Sequence, residues 1–144
     1  MSNFVKISEA ASLGLHAMAR LAAEPDGRCT NNQMAEMLGA SHHHLAKVMP
    51  KLVKAGLVRV TLGPGGGFQL SAPADSISLL AIFETIEGPM RDTRCLLRRE
   101  NCDGTQCMLG EYLLDVDARI RDYLARTTLS ELVRSMKPRL PTPA

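Results

Sequence analysis

Apolar residues recur at helical spacing in successive segments near the start of the chain. The first segment runs from Ser8 to Ala23, and its apolar positions share one side of a helix: Ala10, Leu13, Ala17 and Leu21. The sequence EPDG after it favours a helix end. In the next segment, TNNQMAEMLG, Thr30 and Gln33 have the spacing of a capping box and Gly39 is placed as a terminator. This segment predicts a second, short helix.

A third helix is predicted over HHHLAKVMPKLVKAG, where Ser41 can cap the start and Gly56 closes the end. Its inward stripe is formed by four apolar residues: Leu45, Val48, Met49 and Leu52. Pro50 lies inside this segment and lacks the backbone N–H that a helix uses, so we expect a bend or a separate last turn. We also expect His44, which is next to the stripe, to face partly inward.

The pattern then changes to two β-prone runs in LVRVTLGPGGGFQLSA, joined by a turn over residues 63–67 that is glycine except for Pro64. This arrangement predicts a β-hairpin. Two short helices joined by GAS, a basic helix end and a glycine-tipped hairpin follow the order of a winged helix-turn-helix. The predicted fold is therefore mainly α with a small β-hairpin wing, and residues 1–75 are predicted to form a DNA-binding domain.

The second half is predicted to be helical on both sides of a cysteine-rich loop. Ser78 can cap a helix that ends near Gly88. A long helix follows the loop, and its apolar residues step by four and three: Leu109, Leu113, Val116, Ile120 and Tyr123. This apolar seam is typical of a helix that packs lengthwise on another, as in a dimer. Thr128 and Glu131 can cap a last short helix. We predict that residues 76–133 form a linker helix, the cysteine loop and a dimerisation helix, and that residues 134–144 are a disordered tail.

The net charge is only +2, but its distribution is informative. Residues 1–75 carry seven Lys or Arg and five Asp or Glu, whereas residues 76–144 carry ten of each. No carboxylate occurs between Glu36 and Asp75, where the basic residues are Lys47, Lys51, Lys54 and Arg59. A basic stretch without acids is typical of a surface that binds a polyanion. Charges also interrupt every apolar run near the start, so we predict no signal peptide and no membrane contact, and a cytoplasmic location.

The third helix of such a fold enters the major groove of double-stranded DNA, with nearby cations on phosphates. We expect groove contacts from the start of this helix: Ser41, His42, His43 and Lys47. We expect phosphate contacts from Lys51, Lys54 and Arg59, and a backbone approach by the wing tip, which is Gly65, Gly66 and Gly67. Consecutive histidines on a helix point about 100° apart and cannot all face one ion, so groove contacts are favoured over a metal site.

Three of the four cysteines lie within CLLRRENCDGTQC, at Cys95, Cys102 and Cys107. Thiols in a reducing compartment more often bind metal or sense redox state than form disulfides. Loop cysteines can converge on an iron–sulfur cluster. A zinc site with three sulfur ligands is an alternative, although no C-x-x-C pair is present. Arginines around Cys95 would favour a reactive thiolate, so a second alternative to the cluster is a thiol switch without metal. The fourth cysteine, Cys29, is interpreted as a small buried or loop residue.

Several stretches together resemble the IscR/NsrR/CymR family of bacterial winged-helix regulators. They are SHHHLAKVMPKLVKAGLVRVTLGPGGGFQLS, ISLLAIFETIEG, and the cysteine cluster followed by TTLSEL. The resemblance implies a homodimeric transcription factor, often a repressor, and members with three cysteines commonly hold an iron–sulfur cluster that controls DNA binding. The chain departs from the family in its cysteine spacing, with six and four intervening residues where five and five are typical. It also has Leu62 where several relatives have a wing arginine.

The resemblance also bears on a fourth cluster ligand. In some relatives this ligand is a histidine three residues beyond the last cysteine, where this chain has Gly110. In others it comes from the first helix of the partner subunit, where Ser12 stands at the position of an acidic ligand. The candidates are His16 or Glu9, about one turn on either side of Ser12, and His16 also resembles a histidine ligand of a cluster-binding relative. A ligand from the partner would couple the state of the cluster to dimer geometry.

The sequence therefore predicts a homodimeric DNA-binding transcriptional regulator that senses redox, nitric oxide or iron–sulfur status through a cluster, [2Fe–2S] or [4Fe–4S]. One alternative is the same regulator switched by cysteine oxidation or a small metabolite. Another, of a different class, is an iron–sulfur electron carrier. We do not expect an enzyme, because the chain has no nucleophile and base pair, no phosphate-binding loop and no dinucleotide fingerprint.

Overall fold

The structure is a computed structural model that describes residues 7–24, 27–91, 95 and 107–136. The elements within these residues are six α-helices, one two-stranded hairpin and a short 3-10 turn at Ala74–Ser76. In chain order the helices and strands are α1 (Glu9–Ala23), α2 (Asn31–Leu38), α3 (His42–Lys54), β1 (Val58–Thr61), β2 (Gly67–Leu70), α4 (Leu79–Glu87), α5 (Met108–Arg126) and α6 (Leu129–Met136). The predicted fold class, mainly α with a small β-hairpin, is confirmed.

Hydroxyl side chains begin the first three helices, as the sequence predicts for the second and third. The hydroxyl of Ser8 accepts a hydrogen bond from the backbone N–H of Ala11 at 3.0 Å, and this contact starts α1. At α2, Thr30 and Gln33 form both hydrogen bonds of a capping box. Ser41 caps α3 by accepting from the N–H of His44 at 3.1 Å. These contacts satisfy N–H groups that have no partner within the helix.

Pro50 does not split α3, which continues as one helix to Lys54. Of the two outcomes predicted for Pro50, a bend or a separate last turn, the separate last turn is therefore wrong, and the bend stays a prediction. Proline removes the hydrogen bond to the carbonyl of Ala46, four residues earlier. Both residues lie on the exposed side of α3, where water can satisfy that carbonyl, and the opposite side of the helix is fixed by its buried stripe.

The hairpin is completed by a segment from outside it. β1 and β2 pair antiparallel, with Arg59 opposite Gln69 and Thr61 opposite Gly67. On the other edge of β2, Cys29 forms an isolated antiparallel bridge with Phe68. The backbone N–H of Cys29 donates to the carbonyl of Phe68 at 3.0 Å, and the carbonyl of Cys29 accepts from the N–H of Phe68 at 2.8 Å. The chain between α1 and α2 is thereby attached to the wing.

One core joins elements from both sides of position 75. Its fully buried members come from the winged helix and from α4 and α6: Met18, Met34, Leu45, Leu52, Ile82 and Leu129. A bridge between Ser78 and Thr128 holds the start of α4 against the start of α6. Among the described residues, the buried residue that carries a charge is Arg20. Its guanidinium group forms an ion pair with the carboxylate of Glu24 at 3.3 Å.

Helix α5 presents most of its apolar surface away from this core. Gly110 is its buried residue within the described chain, and Leu124 packs against the core. Leu109 and Tyr123, the ends of the predicted apolar seam, are 52% and 57% exposed. Helix α6 extends to Met136, so residues 134–136 are helical and not part of a tail as predicted. Residues 137–144 lie outside the described residues.

Candidate nucleic-acid interface and metal centre

Helix α3 has two opposite faces with different chemistry. Its inward stripe is buried as predicted and consists of Leu45, Val48, Met49 and Leu52. On the opposite side, residues spaced by four, three and four positions form one exposed strip: His43, Lys47, Pro50 and Lys54. Residues at this spacing are neighbours on a helix surface. The strip carries two lysines and one histidine, and the sequence from residue 37 to 74 contains no carboxylate. Glu9 of α1 lines the same cavity as Lys47.

The residues at the start of α3 differ in whether their side-chain polar groups are exposed and in which contacts they already make. The hydroxyl oxygen of Ser41 accepts the capping hydrogen bond, so it can still donate its own proton. A ring nitrogen of His42 lies 3.4 Å from the side-chain nitrogen of Asn31 at the start of α2. His43 is exposed on the strip. His44 is also exposed and lies towards α1, so the prediction that it faces partly inward is wrong, because a 100° step from Leu45 places it outside the buried stripe.

Lys51 lies on a different side of α3 from Lys47 and Lys54. Its ammonium group donates to the carbonyl of Ile86 at 3.2 Å, near the end of α4. A cation at this end of a helix also interacts favourably with the helix dipole. A phosphate contact by Lys51 would require this hydrogen bond to break, and its predicted DNA role stays a prediction.

Two cations lie along the wing, one at the middle of its strands and one at its tip. Arg59 is exposed at the middle of β1, and its side chain donates to Gln69, directly across the ladder, at 3.2 Å. At the tip, Gly65 accepts a hydrogen bond from the guanidinium of Arg28 at 2.9 Å. Leu62, on the same tip, is 87% exposed. The sequence pattern missed Arg28, because the contact joins positions 37 residues apart and no local signal marks it.

The cysteine loop is only partly described. Cys95 is half-buried, Cys107 is exposed, and Cys102 lies outside the described residues. Cys107 is the residue before α5 and makes no side-chain capping hydrogen bond there. The fourth cysteine, Cys29, is 1% exposed, which agrees with its interpretation as a small buried residue. Burial, and next the nearby carboxylate of Glu24, raise the pKa of the Cys29 thiol.

The chain that enters the loop is held by both neighbouring helices. The backbone N–H of Met90 donates to the carboxylate of Glu84 on α4 at 3.1 Å. The carbonyl of Met90 accepts from the guanidinium of Arg121 on α5 at 2.9 Å. Within the described residues, no three side chains of the metal-binding types come together.

The proposed partner ligands lie on one side of α1. Glu9, Ser12 and His16 line an open cavity of about 780 Å³, which His44 also borders. A ring nitrogen of His16, Nδ1, lies 2.7 Å from the carbonyl oxygen of Ser12. If Nδ1 donates there, Nε2 carries the lone pair that a metal needs, which is the usual arrangement of a histidine ligand.

No helix of the described chain is long and apolar enough to cross a membrane.

Comparison with known proteins gives a consistent result. Residues 7–135 match the model of the Rrf2 family, described as "Iron-dependent Transcriptional regulator". The chain is 35% identical over 101 residues to the HTH-type transcriptional regulator IscR of Vibrio campbellii, an alignment that covers 70% of this chain but only 60% of that protein.

Solved structures of CymR are also similar. The structure of the global cysteine regulator CymR of B. subtilis superposes with a TM-score of 0.77 and 27% identity, over 91% of this chain and 98% of that one. The oxidized form of Staphylococcus aureus CymR superposes with a TM-score of 0.71 and 29% identity, over 90% of this chain and 96% of that one.

Proposed function

This chain belongs to the Rrf2 family of transcriptional regulators, and from that premise we propose that it binds a specific DNA site as a homodimer and responds to the state of its cysteine loop. The resemblance to the IscR/NsrR/CymR regulators is confirmed. So is the prediction that the chain is not an enzyme, since its relatives are named as transcriptional regulators. DNA binding follows from the family, while the residues that perform it are part of the proposal.

The exposed strip of α3 is the observation that carries the DNA-binding proposal. It combines His43, which can contact base edges, with Lys47 and Lys54, which can bind phosphates or bases. In chain order the hairpin directly follows this helix, as the wing does in winged-helix proteins. Gly65 to Gly67 have no side chains, so the backbone of this part of the tip can approach the duplex closely.

Removal of Lys47 tests this interface. The probe is a duplex that the wild-type protein selects from a random pool, and its binding is measured as a function of salt concentration. If Lys47 contacts a phosphate, Lys47→Ala should weaken binding and reduce the slope of log K against log salt by about 0.9 for each subunit. Arg134→Ala on α6 removes the same charge from an exposed position on another element and should leave the slope unchanged. Equal effects of both variants would contradict the proposed interface.

The apolar seam of α5 supports a homodimer. Its residues form one side of the helix, turned about 100° from the side that packs against the chain's own core. Leu109 and Tyr123 are more than half exposed, and the residues between them are half-buried. A second copy of α5 is a suitable occupant because its seam has the same apolar pattern.

The seam can be tested by one pair of variants. Ile120→Glu places a carboxylate in the middle of the seam and should give a monomer in analytical ultracentrifugation at a concentration where the wild type is dimeric. Ala118→Glu adds the same charge on an exposed position of the opposite side of α5 and should stay dimeric. A dimeric Ile120→Glu variant would place the interface elsewhere.

For the cysteine loop we propose an iron–sulfur cluster held by Cys95, Cys102 and Cys107. The donor set fits, since thiolates are the usual ligands of such clusters. Cys107 is exposed and has no capping role, so its sulfur is available to a ligand. His16 or Glu9 of the partner subunit would complete the site. When bound, the cluster would supply a group whose oxidation state or integrity changes with redox conditions, nitric oxide or iron supply.

The backbone hydrogen bonds of Met90 support a physical connection between this loop and the DNA-binding elements. The loop entrance is held by Glu84 of α4 and Arg121 of α5, so a change in loop conformation acts directly on both helices. The carbonyl of Ile86, close to this entrance, accepts from Lys51 of α3. The loop, the dimer helix and the recognition helix are therefore joined through the end of α4 by specific hydrogen bonds.

A thiol switch without a cluster is the second candidate function. The observations in its favour are the similarity to S. aureus CymR, of which one structure is described as an oxidized form, and the exposed thiol of Cys107. In this case, oxidation of the loop cysteines would change DNA affinity without iron.

One purification distinguishes the two candidates. The protein is prepared without oxygen, and its visible absorption, iron and acid-labile sulfide are measured beside a variant with Cys95, Cys102 and Cys107 changed to alanine. Matched iron and sulfide in the wild type, absent from the variant, would support the cluster. Cys29→Ala is the control and should keep the cluster. A colourless wild type, even after reconstitution with iron and sulfide, would exclude the cluster and leave the thiol switch.

A further inference from the structure

The wing of this protein receives a side chain from outside the hairpin. The rung between Cys29 and Phe68, with hydrogen bonds of 3.0 and 2.8 Å, fixes the residues around position 29 along the edge of β2. Arg28 is the preceding residue, and its guanidinium donates to the carbonyl of Gly65 at 2.9 Å. The side chain thus reaches the glycine tip, although it comes from the segment between α1 and α2.

The hairpin itself supplies no charge at this tip. Residues 62–67 are leucine, proline and four glycines. Arg59, the cation of the hairpin, is bonded across the ladder to Gln69 and so lies below the tip, in the middle of the strands. Leu62 is 87% exposed and cannot bind an anion. Arg28 therefore gives the tip a positive charge that its own sequence lacks.

The guanidinium is suited to a second partner. Arginine has five N–H donors in a rigid fork, and the contact with Gly65 uses one of them. The side chain is exposed, so the remaining donors face solvent or a ligand. Because one end of the fork is already held, less conformational freedom is lost when it binds, and the planar group matches the geometry of a phosphate.

We propose that Arg28 is the cation of the wing and binds a phosphate of the DNA backbone beside the wing tip. This inference rests on the proposed function, in which the wing approaches the duplex through its glycine tip. The role is distinct from readout of base edges, because a phosphate contact positions the wing and carries no sequence information. The segment that crosses β2 at Cys29 is then part of the DNA-binding surface and not only a connection between helices.

The test compares Arg28→Ala and Arg28→Lys with the wild type, on the duplex that the wild type selects from a random pool. We expect Arg28→Ala to weaken binding by about tenfold. The slope of log K against log salt should decrease by about 0.9 for each arginine removed, or about 1.8 for a dimer. Arg28→Lys keeps the charge but loses the fork, so it should keep the slope and lose only part of the affinity.

One control and two contrary outcomes separate the possible causes. Thermal unfolding of each variant shows whether the wing or the core has been destabilised. If Arg28→Ala lowers affinity with no change in slope, the residue only supports the wing tip and the proposal is overturned. The same variants are also measured on versions of this duplex that differ only in their flanks. If the loss is confined to A·T-rich flanks, the side chain reads the minor groove and the phosphate contact is wrong.

A failure of the underlying function would give a different result. Lys47→Ala is measured in the same series as a reference for the α3 interface. If Lys47→Ala weakens binding and Arg28→Ala does not, only the inference about Arg28 fails. If neither variant changes the affinity or the slope, the proposed DNA interface itself is incorrect.

Discussion

Replacing Gly66 with alanine should force the wing tip open. A Cβ atom at this position would lie 2.1 Å from the carbonyl oxygen of Thr61 and 2.9 Å from that of Gly63. Real Cβ contacts are essentially never shorter than 3.0 Å, so the Cβ and the Thr61 oxygen must separate by at least the 0.9 Å between 2.1 and 3.0 Å. Both neighbours are backbone atoms, and no side-chain rotation can relieve the contact.

The cost follows from what has to move. Thr61 ends β1 and pairs with Gly67, so the displacement disrupts the last rung of the ladder. Overpacking costs about 1–3 kcal/mol, and we expect about 3 kcal/mol here because the contact is backbone to backbone. For a chain of 144 residues, a loss of about 3 kcal/mol corresponds to a decrease in Tm of about 9 °C.

Gly65→Ala provides a matched control one residue away. Gly65 has a φ of +74°, and no atom would lie within 4 Å of an added Cβ. Its substitution therefore carries only the cost of the left-handed conformation, about 1 kcal/mol, or about 3 °C in Tm. The wing keeps its shape in this variant, whereas Gly66→Ala changes it.

The assay is thermal unfolding followed by circular dichroism, with DNA binding measured on the same samples. Gly66→Ala should bind the selected duplex at least about tenfold more weakly than Gly65→Ala, since an open tip can no longer present its backbone and the Gly65 carbonyl correctly. Equal Tm values and equal affinities in the two variants would refute this prediction, because the close approach of Gly66 to Thr61 would then have no consequence.

Three further predictions concern single side chains. Lys51→Ala should lower the Tm by a few degrees, through loss of its hydrogen bond to α4, and should reduce the salt slope of DNA binding less than Lys47→Ala. The pKa of Glu131 lies below its ordinary value of 4.5, chiefly because the backbone N–H of the capping residue donates to the carboxylate. That stabilisation is complete above pH 4.5 and is lost as the pH falls through the folded pKa. Glu131→Gln should therefore show a smaller loss of Tm between neutral pH and acid than the wild type. In the apo protein, Cys29 should react with a thiol reagent far more slowly than Cys107 because it is buried, and equal rates would contradict the described packing.

Local signals account for much of what the sequence predicts correctly. Thr30 and Ser41 are capping residues whose partners lie three residues ahead, so the pattern of the chain contains both members of each contact. The buried stripe of α3 follows equally from helical periodicity. The absence of a separate last turn at Pro50 has a different origin. The proline rule describes a lost hydrogen bond, but its cost depends on whether water reaches the carbonyl left behind, which is a property of the tertiary structure.

In the candidate site, too, some features follow from local sequence signals and others depend on the tertiary structure. The exposure of Lys47 follows from its position on the helix, whereas the ammonium group of Lys51, only four residues later, donates to a carbonyl 35 positions away. Arg28 is the reverse case, because it has no feature in its own segment that relates it to DNA. It acquires one only when Cys29 pairs with Phe68 and brings residue 28 to the tip of the wing. The absence of a wing arginine at Leu62 is visible in the sequence, yet its replacement from another segment depends on a long-range pairing. A missing charge in a family motif is therefore not evidence of a missing contact until the residues packed against that motif are known.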